Sequence, residues 1–158
     1  MGVCGCGKST IGAMLAERTG GAYLDRDDFH PAENKAKMGK GTPLNDGDRE
    51  DWLSAIRDAV DAHVGPWPLF FGCSALKRKY REALKSGERG AGVHFIHFSG
   101  ERDLLEQRMQ ARENHYMKAG MLDSQLASLE ELESDEPGFA VEIAAPPKDI
   151  AAEILVQL

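Results

Sequence analysis

The sequence predicts an α/β fold, a three-layer α/β/α sandwich with one parallel sheet between two layers of helices. Short apolar stretches alternate along the chain with stretches at helical spacing, which calls for right-handed crossovers and a parallel sheet. The chain also opens on Gly2-Val3-Cys4-Gly5-Cys6-Gly7-Lys8-Ser9. That run fits the phosphate-binding pattern G-x-x-x-x-G-K-[ST] ahead of a helix. A length of 158 residues allows one domain with a real core, and no linker, repeat or low-complexity tract divides residues 1–158.

The first helix is expected over Ser9–Thr19, with Ile11, Met14 and Leu15 on one face and Gly20-Gly21 as its stop. A phosphate-binding loop follows a buried strand, yet only Met1 stands ahead of it. The expectation is a strand that completes the sheet upstream, with Met1 at its end. Ala22–Asp25 reads as the next strand, running into Arg26-Asp27-Asp28. Pro31 opens a short helix to about Met38, and Gly41–Gly47 has loop and cap chemistry. A longer helix carries Trp52, Leu53, Ile56, Val60 and Val64 at helical spacing.

Pro68–Cys73 is a continuous apolar run, as for a strand covered on both faces. Ser74 is placed to cap a helix over Leu76–Ser86, which is crowded with Lys77, Arg78, Lys79 and Arg81. Val93–Phe98 is a strand and Glu101 to about Arg112 a helix. Glu113–Leu122 shows no regular period, and Ser124 is expected to start a short acidic helix. Phe139–Ile143 is the last strand, and Pro147–Leu158 the closing helix.

Hydrophobic residues make up 42 % of the chain and charged residues 28 %, an ordinary globular balance. The net charge of −7 argues against bulk nucleic-acid binding. No apolar run approaches the ~20 residues that span a bilayer, and no signal-peptide pattern is present, so a cytoplasmic enzyme without a membrane partner is expected. Cys4, Cys6 and Cys73 form neither an even disulfide framework nor a zinc pattern, and are read as free thiols.

In the opening loop the glycines bring backbone N–H groups up to a phosphate chain, Lys8 reaches the phosphates and the Ser9 hydroxyl ligates Mg²⁺. Asp25 and Asp27 fall at a strand end, where open α/β sheets bind ligands. One could support the metal and one accept a proton from an attacking hydroxyl; solvated turn acids are the plain alternative. His30 follows as a possible polar contact. Asn45 or Asp46 caps the long helix, whereas Arg49 offers a planar fork for a carboxylate. Ser74 and Lys77 are placed to meet substrate or phosphate, with Arg81 one turn beyond Lys77. Arg108, Arg112, His115 and Lys118 suit a basic flap that closes over a nucleotide. His94 and His97 match no metal motif, and Trp52 reads as core.

These separated motifs together resemble the gluconokinases, small kinases of the P-loop superfamily. The residues that carry the resemblance are Leu24-Asp25 with Asp27, His30-Pro31, Lys37-Met38, Gly41 and Pro43-Leu44-Asn45-Asp46. It continues through Asp48-Arg49, Trp52-Leu53, Cys73-Ser74-Ala75-Leu76-Lys77, Tyr80-Arg81, His115, Met121-Leu122, Gln125 and Leu129-Glu130. The resemblance implies transfer of the γ-phosphoryl group of ATP to the 6-hydroxyl of D-gluconate. It implies a five-stranded parallel sheet of order 2-3-1-4-5, a substrate subdomain over about 31–64, a lid over 112–124 and a homodimer. Gly2, Gly5, Cys6, Gly7, Lys8, Ser9 and Thr10, with Arg108 and Arg112, would then hold ATP, and Ser9 and Asp25 the Mg²⁺. Lys8 and one of Asp25 and Asp27 would act in catalysis. His30, Lys37, Arg49, Ser74, Lys77, Arg81 and His115 would bind gluconate. Cys4 and Cys6 stand where the family has serines, and Asn114 where its lid has a glycine. The rival readings are another small-molecule kinase of shikimate-kinase type and a nucleotide-binding module without catalysis.

Overall fold

The structure is a computed structural model and describes residues 1–25, 29–40, 42, 44–111 and 119–158. Its elements run α1 (Lys8–Thr19), β1 (Ala22–Asp25), α2 (Ala32–Gly39), α3 (Asp46–Asp61), β2 (Leu69–Gly72) and α4 (Arg78–Lys85). They continue with β3 (Phe95–Ser99), α5 (Arg102–Gln110), α6 (Ala119–Ser128), β4 (Gly138–Glu142) and α7 (Pro147–Gln157).

The strands form two parallel pairs. In the first, β1 lies on β2 from Ala22 opposite Leu69 to Asp25 opposite Gly72. In the second, β3 lies on β4 from Phe95 opposite Gly138 to Ser99 opposite Glu142. Met1 and Gly2 lie between the pairs. The Phe98 N–H donates to the Met1 carbonyl at 3.0 Å, and the Gly2 N–H donates to the Ser74 carbonyl at 3.0 Å. Behind Met1 the pairs leave an apolar slot lined by Leu15, Leu69, Phe71, Leu84, Phe95 and Ile96. Counting a central first strand, the pairs are strands 2-3 and 4-5 of the expected order.

Helices cover both faces of this sheet. On one face α1, α5, α6 and α7 bury Ile11, Leu15, Leu105, Leu122, Ile150 and Ile154. On the other, α3 and α4 bury Trp52, Leu53, Ile56, Tyr80 and Leu84. Each set recurs at helical spacing, so burial of one stripe per helix stabilises the three layers. Gly20, with φ 69°, closes α1 by donating to the carbonyls of Ala16 and Glu17.

Three local expectations are corrected. Helix α3 stops at Asp61, and Val64 is 97 % exposed rather than part of its stripe. Ser74 caps nothing: Ala75 takes φ 43° and Lys77 is extended, so the chain turns before α4 can start at Arg78. Helix α6 starts at Ala119, ahead of Ser124, because Met121 and Leu122 pack inward as successive residues on its buried side. The Ser124 carbonyl accepts from the Ser128 hydroxyl at 2.8 Å, an intrahelical contact rather than a cap. Residues 119–124 of the expected lid are therefore helical, and residues 112–118 lie outside the described residues.

Candidate active site

Three glycines give the opening loop its shape. Gly2, Gly5 and Gly7 have φ 136°, 81° and 94°, values that side-chain-bearing residues rarely adopt. A Cβ on Gly5 would lie 3.0 Å from the Leu105 carbonyl oxygen and 3.1 Å from Met109 Cγ, so α5 packs directly on the loop. Gly7 is the N-cap of α1, whose start carries no side-chain cap and no acid in its first turn. Ser9 and Thr10 are exposed there. An uncapped helix start with hydroxyls beside it favours an anion through both the dipole and its N–H groups. The site therefore fits a phosphate chain.

Lys8 is buried against this loop. Its Nζ donates to the carbonyls of Gly2 at 2.8 Å and Val3 at 2.7 Å, and to Cys6 Sγ at 3.3 Å. The Cys4 N–H donates to Gln125 Oε1 of α6 at 2.6 Å, a tie that no sequence motif signalled. All three cysteines are buried thiols outside any disulfide among the described residues. Arg108, on the same helix as Leu105 and Met109, donates to the Ile143 carbonyl at 2.7 Å.

The acidic strand end meets that loop. Asp25 closes β1 opposite Gly72, and a Cβ on Gly72 would touch Lys8 Cβ at 3.7 Å. Asp27, the other candidate base, lies outside the described residues. The Ser9 hydroxyl and the Asp25 carboxylate are hard oxygen donors suited to Mg²⁺. Among the described residues no three His, Cys, Asp or Glu side chains gather to hold a metal. Mg²⁺ commonly takes only one or two protein ligands alongside phosphate oxygens, so this donor set fits it.

The segment after β1 builds the second half of the site. The His30 ring stacks on Trp52 with centroids 4.4 Å apart and planes 7° from parallel, so the buried tryptophan is also the bed of a candidate ligand. Asn45 caps α3 in a reciprocal box with Asp48. Lys37 Nζ donates to Asp48 Oδ1 at 2.5 Å, and the Asn34 amide to the Asp48 carbonyl at 2.6 Å. The Lys37 ammonium is the first cause of the depressed Asp48 pKa.

With the cap assigned to Asn45, Asp46 has a different position. Lys77 Nζ donates to its Oδ1 at 3.2 Å, and the Lys79 ammonium and the Tyr80 hydroxyl donate to it as well. Lys79, then Tyr80, then Lys77 hold the Asp46 carboxyl well below the usual range. Burial, followed by this bond, raises the Tyr80 phenol. Arg49 donates to the Leu44 carbonyl and places its guanidinium 5.5 Å from the Tyr80 ring centre. Lys77 and Lys79 lie 5.7 Å from the same ring. Sequence reading named Arg49 and Lys77, left the cap open between Asn45 and Asp46, and missed the platform beneath them.

Arg81 is the principal correction. It belongs to the core, with side-chain exposure of 1 % against 7 % for its partner Glu136. Its Nε and Nη2 donate to the two Glu136 oxygens at 2.5 and 2.7 Å. Its remaining donors reach the carbonyls of Ala75, Leu76, Glu130 and Glu131. A guanidinium so occupied has no donor left for substrate. Leu84, buried one turn on, placed Arg81 on the apolar side of α4 and was the available signal. Ser74 lies beside the loop through its carbonyl. Arg112 and His115 fall outside the described residues. His97 is buried and His94 exposed.

Comparison with known proteins agrees with this geometry. A family model described as shikimate kinase matches residues 4–136. The thermoresistant gluconokinase of Escherichia coli K12 is 38 % identical over 157 residues, covering 98 % of this chain and 89 % of that protein. A crystal structure of a gluconokinase from Sinorhizobium meliloti superposes with a TM-score of 0.88 at 38 % identity, covering 99 % of this chain and 87 % of the other. An unliganded sugar kinase from a Janibacter species gives a TM-score of 0.91 at 41 % identity, with coverage of 99 % and 90 %. The chain belongs to the shikimate-kinase-type P-loop kinases and, within them, to the gluconokinase family.

Proposed function

We propose that the chain transfers the γ-phosphoryl group of ATP to the 6-hydroxyl of D-gluconate, yielding 6-phospho-D-gluconate and ADP. One observation carries the reading: the phosphate-loop lysine and the carboxylate-bearing end of β1 meet at Gly72. Donor phosphates and acceptor hydroxyl can thereby share one sheet edge. The names of the relatives support gluconate as the acceptor.

The placement of the described residues, with the family resemblance for Asp27, Arg112 and His115, gives each a job. Lys8 exchanges the Gly2 and Val3 carbonyls for phosphate oxygens, while Gly5, Cys6 and Gly7 present backbone N–H groups. Ser9, Thr10 and Asp25 lie where Mg²⁺ and its water shell would be held. Mg²⁺ held there would supply positive charge against the phosphates during transfer. Asp25 or Asp27 accepts the 6-hydroxyl proton as that oxygen attacks phosphorus and the bond to ADP breaks. Arg49 and Lys77, with Lys37 and His30, orient the sugar acid, and Arg108, Arg112 and His115 enclose the reacting groups. Positioning and charge neutralisation carry such a reaction. The resemblance extends the reading to a homodimer, and the composition to a cytoplasmic enzyme. No helix among the described residues is long and apolar enough to cross a membrane.

Release of ADP, measured with Mg·ATP and gluconate, with shikimate, and with no acceptor, tests the assignment. ADP formed only with gluconate is the expected result. Turnover with shikimate instead would transfer the assignment to the rival kinase, and nucleotide binding without turnover would identify a non-catalytic module.

A further inference from the structure

We propose that Asp46 is the positioning residue that makes the site selective for a sugar acid over a neutral polyol, by arranging Lys77 and Lys79 as a carboxylate receptor. The inference rests on the proposed gluconate activity and adds a residue and a physical basis for its selectivity.

Lys77, Lys79 and Arg49 bring three positive charges around the Tyr80 ring. Within the set of side chains bonded to one another there, Asp46 supplies the carboxylate. Two lysines against one bonded carboxylate leave the cluster net positive, and Asp48, which also interacts with Arg49, is paired with Lys37. Asp46 is 44 % exposed, so the cluster opens to solvent. A site with these charges suits a monoanion better than a neutral hydroxyl chain.

Asp46 also decides where the cations sit. Free lysine side chains sample many rotamers, and fixing two of them in advance removes an ordering cost from ligand binding. The carboxylate is itself fixed: it stands at the first residue of α3, beside the Asn45–Asp48 capping box, and accepts from Tyr80, which is buried in the core between α3 and α4. One acid thus ties the start of α3 to the start of α4. A carboxylate arriving from solvent meets ammonium groups already converged. Lysine has three donors, so each can serve Asp46 and a ligand together.

Steady-state kinetics on the full chain test this, using gluconate and its neutral amide as acceptors and Asp46→Asn as the variant. The expected result is a rise of about tenfold in KM for gluconate, the size of the ordering cost returned to binding when two lysine side chains are no longer held in place. The KM for ATP stays unchanged and kcat moves by less than about threefold, because the loss is in acceptor binding. Preference for gluconate over the amide shrinks by about the same tenfold factor. Asp46→Glu, which keeps the charge, restores part of that preference. An unchanged gluconate KM, or an equal rise for both acceptors, overturns the inference; the second result would mean a merely structural role. Should Asp46→Asn not fold by thermal melting, Lys79→Met at the exposed edge reads the same discrimination with the same two outcomes. If wild-type chain neither binds nor phosphorylates gluconate, the proposed activity fails first. If it does both and the variants discriminate normally, the Asp46 inference alone fails.

Discussion

Lys8 and Arg81 are both cations buried beside the sheet, and their partners separate a working charge from a structural one. The Lys8 contacts given above stay inside its own loop, to Gly2, Val3 and Cys6. Those of Arg81 cross the chain to Glu130, Glu131 and Glu136 and close on a carboxylate almost as buried as itself. A lysine on nearby carbonyls can exchange them for phosphate while the fold stays intact. An arginine that ties the segment 130–136 to α4 cannot leave without exposing a buried Glu136. Burial of a charge therefore marks function or scaffold only after its partners are known.

The largest expected effect comes from Arg81→Met. Removing one member of a buried pair costs about 3–5 kcal/mol, so denaturant unfolding should show a sharp loss of stability. A variant of wild-type stability would return Arg81 to the candidate substrate residues. Lys8→Ala tests the other side of the contrast. It should reduce kcat by about two to three orders of magnitude, as loss of a preorganised charge does, while the melting temperature changes little. Near-normal turnover with a collapsed Tm would reverse the roles assigned to the two cations.

Gly5→Ala probes the loop that makes Lys8 useful. With φ 81° and a Cβ 3.0 Å from the Leu105 carbonyl, the variant should lose about 1–3 kcal/mol and bind ATP more weakly by calorimetry. Full ATP affinity would show that the loop can relax around a methyl group.

Acid titration sharpens the Arg81 half. The Arg81 guanidinium, first among the causes, holds the Glu136 pKa below its unfolded value of 4.5. A depressed carboxyl pKa contributes stability that is complete above the unfolded value and is lost as pH falls through the folded one. Stability should thus fall below about pH 4.5, and Glu136→Gln should remove that component of the acid limb. An identical acid limb in the variant would show that other carboxylates set it. Glu133→Gln should change least. Glu133 meets Arg78 at 2.8 Å with side-chain exposures of 66 % and 34 %, and such surface pairs are weak and screened by ~1 M salt. A clear Tm shift at high salt would refute that ranking.

Much of the fold was legible because it rests on local pattern. The glycine spacing placed the phosphate loop, Gly20-Gly21 placed the end of α1, and the apolar run before Cys73 placed β2. Where the reading failed, a distant partner or a turn decided the outcome. Val64 continues the apolar stripe of α3, but the helix ends at Asp61 and leaves it exposed. Ser74 has the chemistry of a cap, but Ala75 turns the chain first. Arg81 shares the buried side of α4 with Leu84, a local signal that its charge masked, and its partner Glu136 lies far along the sequence.

By itself the sequence determined a phosphate-binding loop on a parallel α/β sheet, with an acidic strand end beside it and the motifs of a gluconokinase. Those features follow from short-range chemistry: backbone dihedrals that glycine permits, periodic burial, and charges a few residues apart. Tertiary structure alone decided which cation is tied into the core, where Met1 sits between the strand pairs, and that Asp46 gathers two lysines while Asn45 caps the helix. Such choices depend on side chains brought together from separated segments. Their charges interact through distance and burial, and neither is encoded at any single position.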